Sequence, residues 1–316
     1  MQLSIITINY NTKDLIVQCI NSIPMGLGNT DILSYEIIVV DNASTDGSVE
    51  IIRNTFTTVK IIQNSVNKGY AYAVNRGIEA ASGQYLLILN SDIIFTNNCL
   101  LPLINYINEN PRTGIVGPQL IYPNGILQRS YGTIPSLSQA FLDVFFIRFI
   151  WVQIKNLLKK RLGYKFDLNS KSVSYIDGAS MFIRREVVQE IGYFDERFFF
   201  YAEDADFCFR AHKKKWDIMF IPQSQIIHRR GASSVKREQI LFSIQLVKAN
   251  LQFIEKHYNK INLWIYKFLT CFHFFIRFIK NWIQLTLFFI SGKENKKDQQ
   301  NKKLELIKKM ITSIFQ

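Results

Sequence analysis

Residues 37–48 read IIVVDNASTDGS. Four β-branched residues run directly into Asp41, and a polar Asn-Ala-Ser-Thr-Asp-Gly loop follows. That order describes a buried strand ending on an acid, then a loop that opens a helix. Outward from this stretch the same unit recurs. Leu3–Ile8, Tyr35–Val40, Val59–Gln63 and Tyr85–Leu89 are short aliphatic runs, and helical patterns lie near Asp14–Ile23, Ser44–Phe56 and Tyr70–Ala81. Strand–helix–strand alternation implies a parallel sheet with helices on its faces. Such sheets bind ligands outside the carboxyl ends of their strands. The polar residues obey that rule: Asn9 to Asn11, Asp41 to Asp46, Asn64 to Lys68 and Asn90 to Asp92 all follow strand ends.

The chain has 316 residues and 48% apolar content, enough for one large α/β domain and an appendage. Its formal net charge is +13, weighted towards the C-terminal half, which favours an anionic partner over a property of the core. Four cysteines lie far apart without metal-ligand spacing, so they read as reduced and structural. The N-terminal MQLSIITINYN has no basic n-region or cleavage pattern, and the expectation is a cytosolic face.

Several segments carry candidate chemistry. Asp41 can accept hydrogen bonds from a nucleobase or ribose; the plainer alternative is a strand-to-helix turn capped by Ser44. Residues 64–77, NSVNKGYAYAVNRG, place Lys68 and Gly69 at a helix start, where free amides and a cation suit a diphosphate; a solvated cap is the alternative. Residues 85–92, YLLILNSD, deliver Asn90 and Asp92 as oxygen ligands for a divalent cation, or as an Asx-turn. Residues 198–210, FFFYAEDADFCFR, set Glu203, Asp204 and Asp206 behind an aromatic wall. Clustered carboxylates beside apolar walls raise one another's pKa, as a general base requires; an acidic helix N-terminus is the alternative. His228, in IIHRRGASS (226–234), follows a further apolar strand, and Arg229 and Arg230 beside it can neutralise phosphate.

Taken in order, SIITINYN, VVDNASTDGS, NKGYAYAVNRG, LILNSD, DGASMFIRREVVQEIGYFDERFFFYAEDADFCFR and HRRGASS resemble the family 2 glycosyltransferases, in their rhamnosyltransferase-like branch. The resemblance runs from Leu3 to about Ser234. It implies a GT-A fold, a Rossmann-like and mainly parallel sheet that binds a nucleotide sugar and is merged with an acceptor-binding half. It implies that Thr7, Tyr10 and Asp41 contact the nucleoside, and that Lys68 and Asn75 lie near the base or diphosphate. Asp92 corresponds to the last acid of the metal motif, with Mg²⁺ or Mn²⁺ as the cation. His228 corresponds to a histidine that completes the metal site, and Asp204, beside Glu203, to the catalytic base. Three features depart from the family pattern: Asn90 stands where the metal motif has its first acid, Ser91 where relatives often have Pro, and Tyr70 where relatives often have Phe.

One base and no nearby nucleophile imply inversion in a single displacement. The expected reaction moves a sugar, rhamnose from dTDP-rhamnose by resemblance, to a hydroxyl of a lipid-linked saccharide in surface polysaccharide synthesis. The alternative is a non-catalytic nucleotide-sugar-binding or scaffold module. A Rossmann oxidoreductase lacks its glycine fingerprint here, and a nucleic-acid binder would not explain acids at strand ends. The expected domains are 1–235 (catalytic) and 236–316 (helical). In Trp264–Ile290, Lys267, His273, Arg277, Lys280, Asn281 and Gln284 fall on one side of a helix, opposite Trp264, Ile265, Phe268, Phe275, Ile279, Trp282 and Ile283. This pattern predicts a helix lying in a membrane surface, peripheral and cytoplasmic, with Phe141–Leu162 as a second contact; packing on the core or on a second subunit is the alternative.

Overall fold

The computed structural model describes residues 2–28, 34–145, 169–229, 238–290 and 294–315. The chain divides into two compact units, Met1–Ile134 with Asp167–Val235, and Pro135–Phe166 with Lys236–Gln316. Segment 135–166, which the sequence reading keeps with the first domain, thus groups with the second unit.

In the first unit, β1 (Gln2–Asn9), β2 (Ser34–Asp41), β3 (Lys60–Gln63) and β4 (Tyr85–Asn90) alternate with α1 (Lys13–Leu27), α2 (Ser48–Thr55) and α3 (Tyr70–Ala80). All four strands are parallel, in the order β3-β2-β1-β4. The chain continues through β5 (Ile93–Phe95), α4 (Leu101–Glu109), β6 (Thr113–Ile121) and β7 (Tyr131–Gly132), and leaves for the second unit with α5 (Leu137–Val144). It returns with β8 (Lys171–Ser172), β9 (Tyr175–Ile176), β10 (Ser180–Arg184), α6 (Arg185–Ile191), α7 (Glu203–Lys213) and β11 (Asp217–His228). Among the described residues the sheet has nine strands, extended past β4 by β10, β6, β11 and β5, with β8 on β11. Strand β10 runs antiparallel to β4 and β6, while β11 is parallel to β6. The result is the mixed, mainly parallel sheet expected from the sequence. A separate two-stranded ribbon joins β7 to β9.

Period-two alternation sends successive strand residues to opposite faces. Ile6, Ile8, Leu86 and Ile88 pack under α3 with Ala73, Val74 and Ile78. Leu3, Ile5, Leu87 and Leu89 face Cys19 and Ile23 of α1 and Leu103 and Ile107 of α4. Close packing of α3 on the sheet depends on Gly77, where a Cβ would overlap the Ile6 side chain. β1 lies between β2 and β4 with helices on both faces, so the crevice at its carboxyl end is where ligands of such sheets bind.

The second unit contains α5, α8 (Glu238–His257), α9 (Lys260–Ile290) and α10 (Glu294–Ser313) among its described residues. His273 on α9 meets the Asp143 carbonyl of α5 at 2.9 Å, and burial holds its pKa below the ordinary histidine value. Gln300 of α10 donates to the Asn281 carbonyl and side chain and to Gln284. His273 and Asn281 thus lie on an internal packing surface of this unit, whereas Arg277, Lys280 and Gln284 of the same polar side are exposed. The apolar side is open: Ile261, Trp264, Ile265, Phe268, Phe272, Phe275, Ile279, Trp282, Ile283 and Leu287 are all exposed, Trp264 at 66% and Phe268 at 67%. Of the expected second contact, Phe141, Leu142 and Phe145 are exposed and residues 146–162 lie outside the described residues. No described helix is long and apolar enough to cross a membrane.

Candidate active site

The first wall of the crevice is a network of short polar side chains. Asp41 is fully buried, accepting from Asn9 Nδ2 at 2.7 Å and from the Ser44 amide at 2.9 Å. Asn11 takes a positive φ of 52° and accepts from the Thr45 amide, while Ser44 Oγ accepts from the Asn11 amide. Ser44 therefore ties the 42–48 loop to the end of β1 and does not cap α2. That helix begins after Gly47, at φ 80°, with Asp46 accepting from the Ser48 amide. Asn42 links across to Asn64, Asn67 and the Gly69 carbonyl. Two neighbouring loops are thus locked together at the carboxyl ends of β2 and β3.

The structure sorts the expected nucleoside residues into two sets. Tyr10 projects from the end of β1, about half exposed, and Lys68 is exposed with its Nζ 4.8 Å from the centre of the Tyr72 ring. Both are open to a ligand. Thr7 is fully buried on the α1 side of the sheet, beside Cys19. Asn75 is also buried, bonded to the Phe194 amide and carbonyl and to Glu196. Asn75 fastens α3 to the loop before α7, and its amide is fully used there. Asp41 is likewise enclosed, holding the 42–48 loop at the carboxyl end of β2.

At the end of β4, Ser91 Oγ meets Thr12 Oγ1 at 2.6 Å, and Asp92 turns towards His228 at the end of β11. Asp92 Oδ1 and His228 Nε2 lie 3.3 Å apart, both buried. The opposite ring nitrogen is settled by a residue not singled out from the sequence. Gln128 donates its amide nitrogen to the His228 carbonyl, so its Oε1, 3.0 Å from Nδ1, is left to accept the Nδ1 proton. Nε2, on the other edge of the ring, then faces the Asp92 carboxylate. Such an outer partner is how a ligating histidine is usually oriented. A nitrogen and a carboxylate oxygen converging in a buried spot fit a divalent cation, with Asn90 half-buried nearby at the strand end. Among the described residues no group of three or more His, Cys, Asp and Glu could hold an ion alone. A cation here would complete its shell from diphosphate oxygens and water. Arg229 bonds the Asp92 carbonyl through its amide, and Arg230 lies outside the described residues.

The acidic cluster forms the facing wall. Tyr201 and Ala202 both adopt positive φ, 75° and 65°, immediately before α7. Non-glycine residues in this region carry strain and gather at functional sites. The turn delivers Glu203 and Asp204 to the first turn of α7. Asp204 Oδ2 accepts from the Gly178 amide at 3.0 Å and Oδ1 from the Ala205 amide. Burial first, then the neighbouring Asp177 carboxylate, push Asp204 up to about 7. Glu203 is more deeply buried, with Oε2 lacking any hydrogen-bond partner among the described residues, and burial and Asp204 raise its pKa well above the carboxylate range. Asp206 is not free for chemistry: it is fully buried and ion-paired with Arg210 at 2.8 Å. A purely structural role thus fits Asp206, whereas Asp204 has the environment of a base.

Tyr70 joins the two walls. Its hydroxyl donates to the Gly178 carbonyl at 2.8 Å. Burial raises its pKa, and the Glu203, Asp204, Asp177 and Asp92 carboxylates add to that rise in this order. Residues 92 and 204, far apart in sequence, are therefore both felt by one hydroxyl. Asp177 and Tyr70 were not singled out as site residues from the sequence. Asp177 stands in the DGAS segment quoted above, and Tyr70 appeared only as a departure from the family pattern.

The sequence and the fold have counterparts in known proteins. A family model described as "Glycosyl transferase family 2" matches residues 4–192. An N-acetylglucosaminyl-diphospho-decaprenol L-rhamnosyltransferase of Mycobacterium tuberculosis is 27% identical over 213 residues, covering 63% of this chain and 67% of that protein. A low-salt glycan biosynthesis hexosyltransferase of Haloferax volcanii is 24% identical, covering 75% and 70%. Among solved structures, a mannosyltransferase from Pyrobaculum calidifontis in complex with GDP-Man and Mn²⁺ superposes with a TM-score of 0.58 at 16% identity, covering 98% of this chain and 85% of that one. The chain belongs to glycosyl transferase family 2: it is a glycosyltransferase with a GT-A fold and a rhamnosyltransferase-like sequence.

Proposed function

We propose that the protein transfers a sugar, with inversion, from a nucleotide-sugar donor to a hydroxyl of a lipid-linked saccharide during surface polysaccharide synthesis. The observation that carries this reading is Asp204: a carboxylate at the active-site crevice with a pKa raised to about 7 and both oxygens held by backbone amides. A base poised near the working pH contributes about 10²–10⁴-fold. Asp204 takes the proton of the acceptor hydroxyl as that oxygen bonds to the anomeric carbon, and the bond from that carbon to the diphosphate oxygen breaks. Asp92 and His228 would hold a divalent cation, Mg²⁺ or Mn²⁺, with Asn90 on the donor side of it. When bound, that cation would stabilise the charge developing on the leaving diphosphate. Tyr10 and Lys68 line the nucleoside and diphosphate side.

Rhamnose from dTDP-rhamnose is the donor we favour, on the likeness to the mycobacterial rhamnosyltransferase, whose name also supports a diphospholipid-linked acceptor. We place the protein peripherally on the cytoplasmic membrane face. The apolar stripe of α9 supports this, flanked by Lys260 and Lys267 on one side and Lys280 on the other, a complement to anionic lipid. The test is a panel of nucleotide sugars scored by acceptor-dependent nucleotide release, with Mg²⁺, Mn²⁺ or chelator. Release from dTDP-rhamnose above every other donor is expected; no release from any donor would overturn the reading.

A further inference from the structure

The stretch Leu127–Gly132 returns along β6 as an extended segment. Its residues alternate: Gln128 and Ser130 point inward, Arg129 outward. Gln128 serves the His228 side, and the Ser130 carbonyl accepts the Asp177 amide on the base side. Arg129 is exposed yet fixed. Its Nε donates to the Tyr131 carbonyl at 3.0 Å and its Nη2 to the Tyr175 hydroxyl at 2.8 Å. Gly132 pairs with Tyr175 across the β7–β9 ribbon, and a Cβ there would collide with both members of the Arg129–Tyr175 pair. Tyr175 lies two residues before Asp177 in an extended strand, and the Asp204 carboxylate reaches it electrostatically. Beyond Tyr131 stands Lys171, its Nζ 4.7 Å from the Tyr131 ring centre and 5.5 Å from that of Phe220. Among the described residues, neither Arg129 nor Lys171 has an ion-pair partner, whereas Arg76, Arg112, Arg197, Arg210 and Lys214 each do.

We infer that Arg129, Lys171 and the Tyr175 hydroxyl form a ledge that binds a phosphate group of the acceptor. This rests on the glycosyltransferase reading and adds the acceptor's chemistry to it. A guanidinium held by two hydrogen bonds keeps its outer N–H groups aimed without further ordering, and Arg pairs with phosphate through that fork. The donor diphosphate belongs to the Asp92–His228 side, which the neighbouring Gln128 faces. Arg129, one residue on, faces outward and is tied to Tyr175, which the Asp204 carboxylate reaches, so its ligand is the molecule that approaches Asp204. The phosphate can come from a lipid diphosphate linkage or from a phosphodiester within a glycan, and both present the same oxygens.

The test compares three soluble acceptors: octyl-diphospho-N-acetylglucosamine, octyl β-N-acetylglucosaminide, and the same glycoside carrying a glycerol phosphate. With full-length enzyme, Arg129→Ala should raise KM for the charged acceptor at least about tenfold while leaving kcat, donor KM and the neutral acceptor within twofold. Arg129→Lys should recover part of the loss, and Lys171→Ala should show a smaller rise. Preference for the first or third acceptor identifies the source of the phosphate. Calorimetric binding of octyl diphosphate with dTDP present needs no turnover, so it reads the ledge even if the transferase reading fails. Wild-type binding that falls with salt and is lost in Arg129→Ala supports the ledge. Equal losses on charged and neutral acceptors, a raised donor KM, or unchanged binding in Arg129→Ala would overturn it.

Discussion

At the residue scale the central question is what burial does to a carboxylate. Asp204 has a folded pKa of about 7 against an ordinary value of 3.8, so its charged form is the disfavoured one. The folded state holds this proton more tightly than the unfolded chain. Stability is therefore highest below the unfolded pKa and is lost as pH rises through about 7. Asp204→Asn sets an NH2 against one of the two backbone amides at any pH, so the readout is the pH dependence: its Tm relative to the unsubstituted protein should be more favourable at pH 8 than at pH 4, which thermal unfolding at both values checks; an unchanged difference would contradict this environment. Catalysis has the opposite sign, because the base must be ionised, so the acceptor-dependent rate should climb with pH through about 7 and then level. Tyr70→Phe removes one buried hydrogen bond to Gly178, worth about 1 kcal/mol, and should lower stability by that order while leaving turnover within a few-fold, as urea unfolding and steady-state rates would show. Asp92, Asp204 and His228 were legible as candidates because acids and a histidine just past apolar segments are placed by strand ends and helix starts. The buried fates of Thr7 and Asn75 were not legible, since side-chain partners such as the Phe194 backbone come from distant sequence.

At the element scale, period-two and period-3.6 patterns were enough to mark β1 to β4 and α1 to α3 within a few residues. They could not reveal that β10 inserts antiparallel between β4 and β6, because pairing across the sheet is set by tertiary packing. Nor could they assign the cap of α2, where Asp46 accepts the Ser48 amide and Ser44 is drawn away to β1. The α3 start depends on Gly69, at φ 98° and with its Cβ position 2.5 Å from the Phe199 carbonyl. Gly69→Ala must both strain the backbone and displace the 198–201 wall. It should destabilise by more than about 1 kcal/mol and impair donor and acceptor use together. Urea unfolding with steady-state kinetics would show it; wild-type stability and rates would mean that the two loops are not coupled through this contact.

On the scale of the whole molecule, a glycosyltransferase domain is joined in one chain to a helical unit with exposed apolar side chains on α9. Amphipathicity of Trp264–Ile290 was readable, but not which face would be covered. The contacts of His273, Asn281 and Gln284 decide that for the second unit. Replacing Trp264, Phe268, Phe275 and Trp282 together by Ser should abolish flotation with anionic liposomes. High salt should only weaken flotation of the unsubstituted protein, since apolar burial is unscreened. Undiminished flotation would remove the stripe from the account, and a dimer that becomes a monomer on substitution would assign it to a subunit interface. The central claim is that Asp204 is the base of a sugar transfer from a nucleotide donor. Its most direct test is turnover and calorimetric donor affinity of Asp204→Asn, measured side by side with the unsubstituted enzyme. The account predicts turnover reduced by about 10²–10⁴-fold with donor affinity within twofold. Turnover within a few-fold of the unsubstituted enzyme would contradict it and pass the role to Glu203.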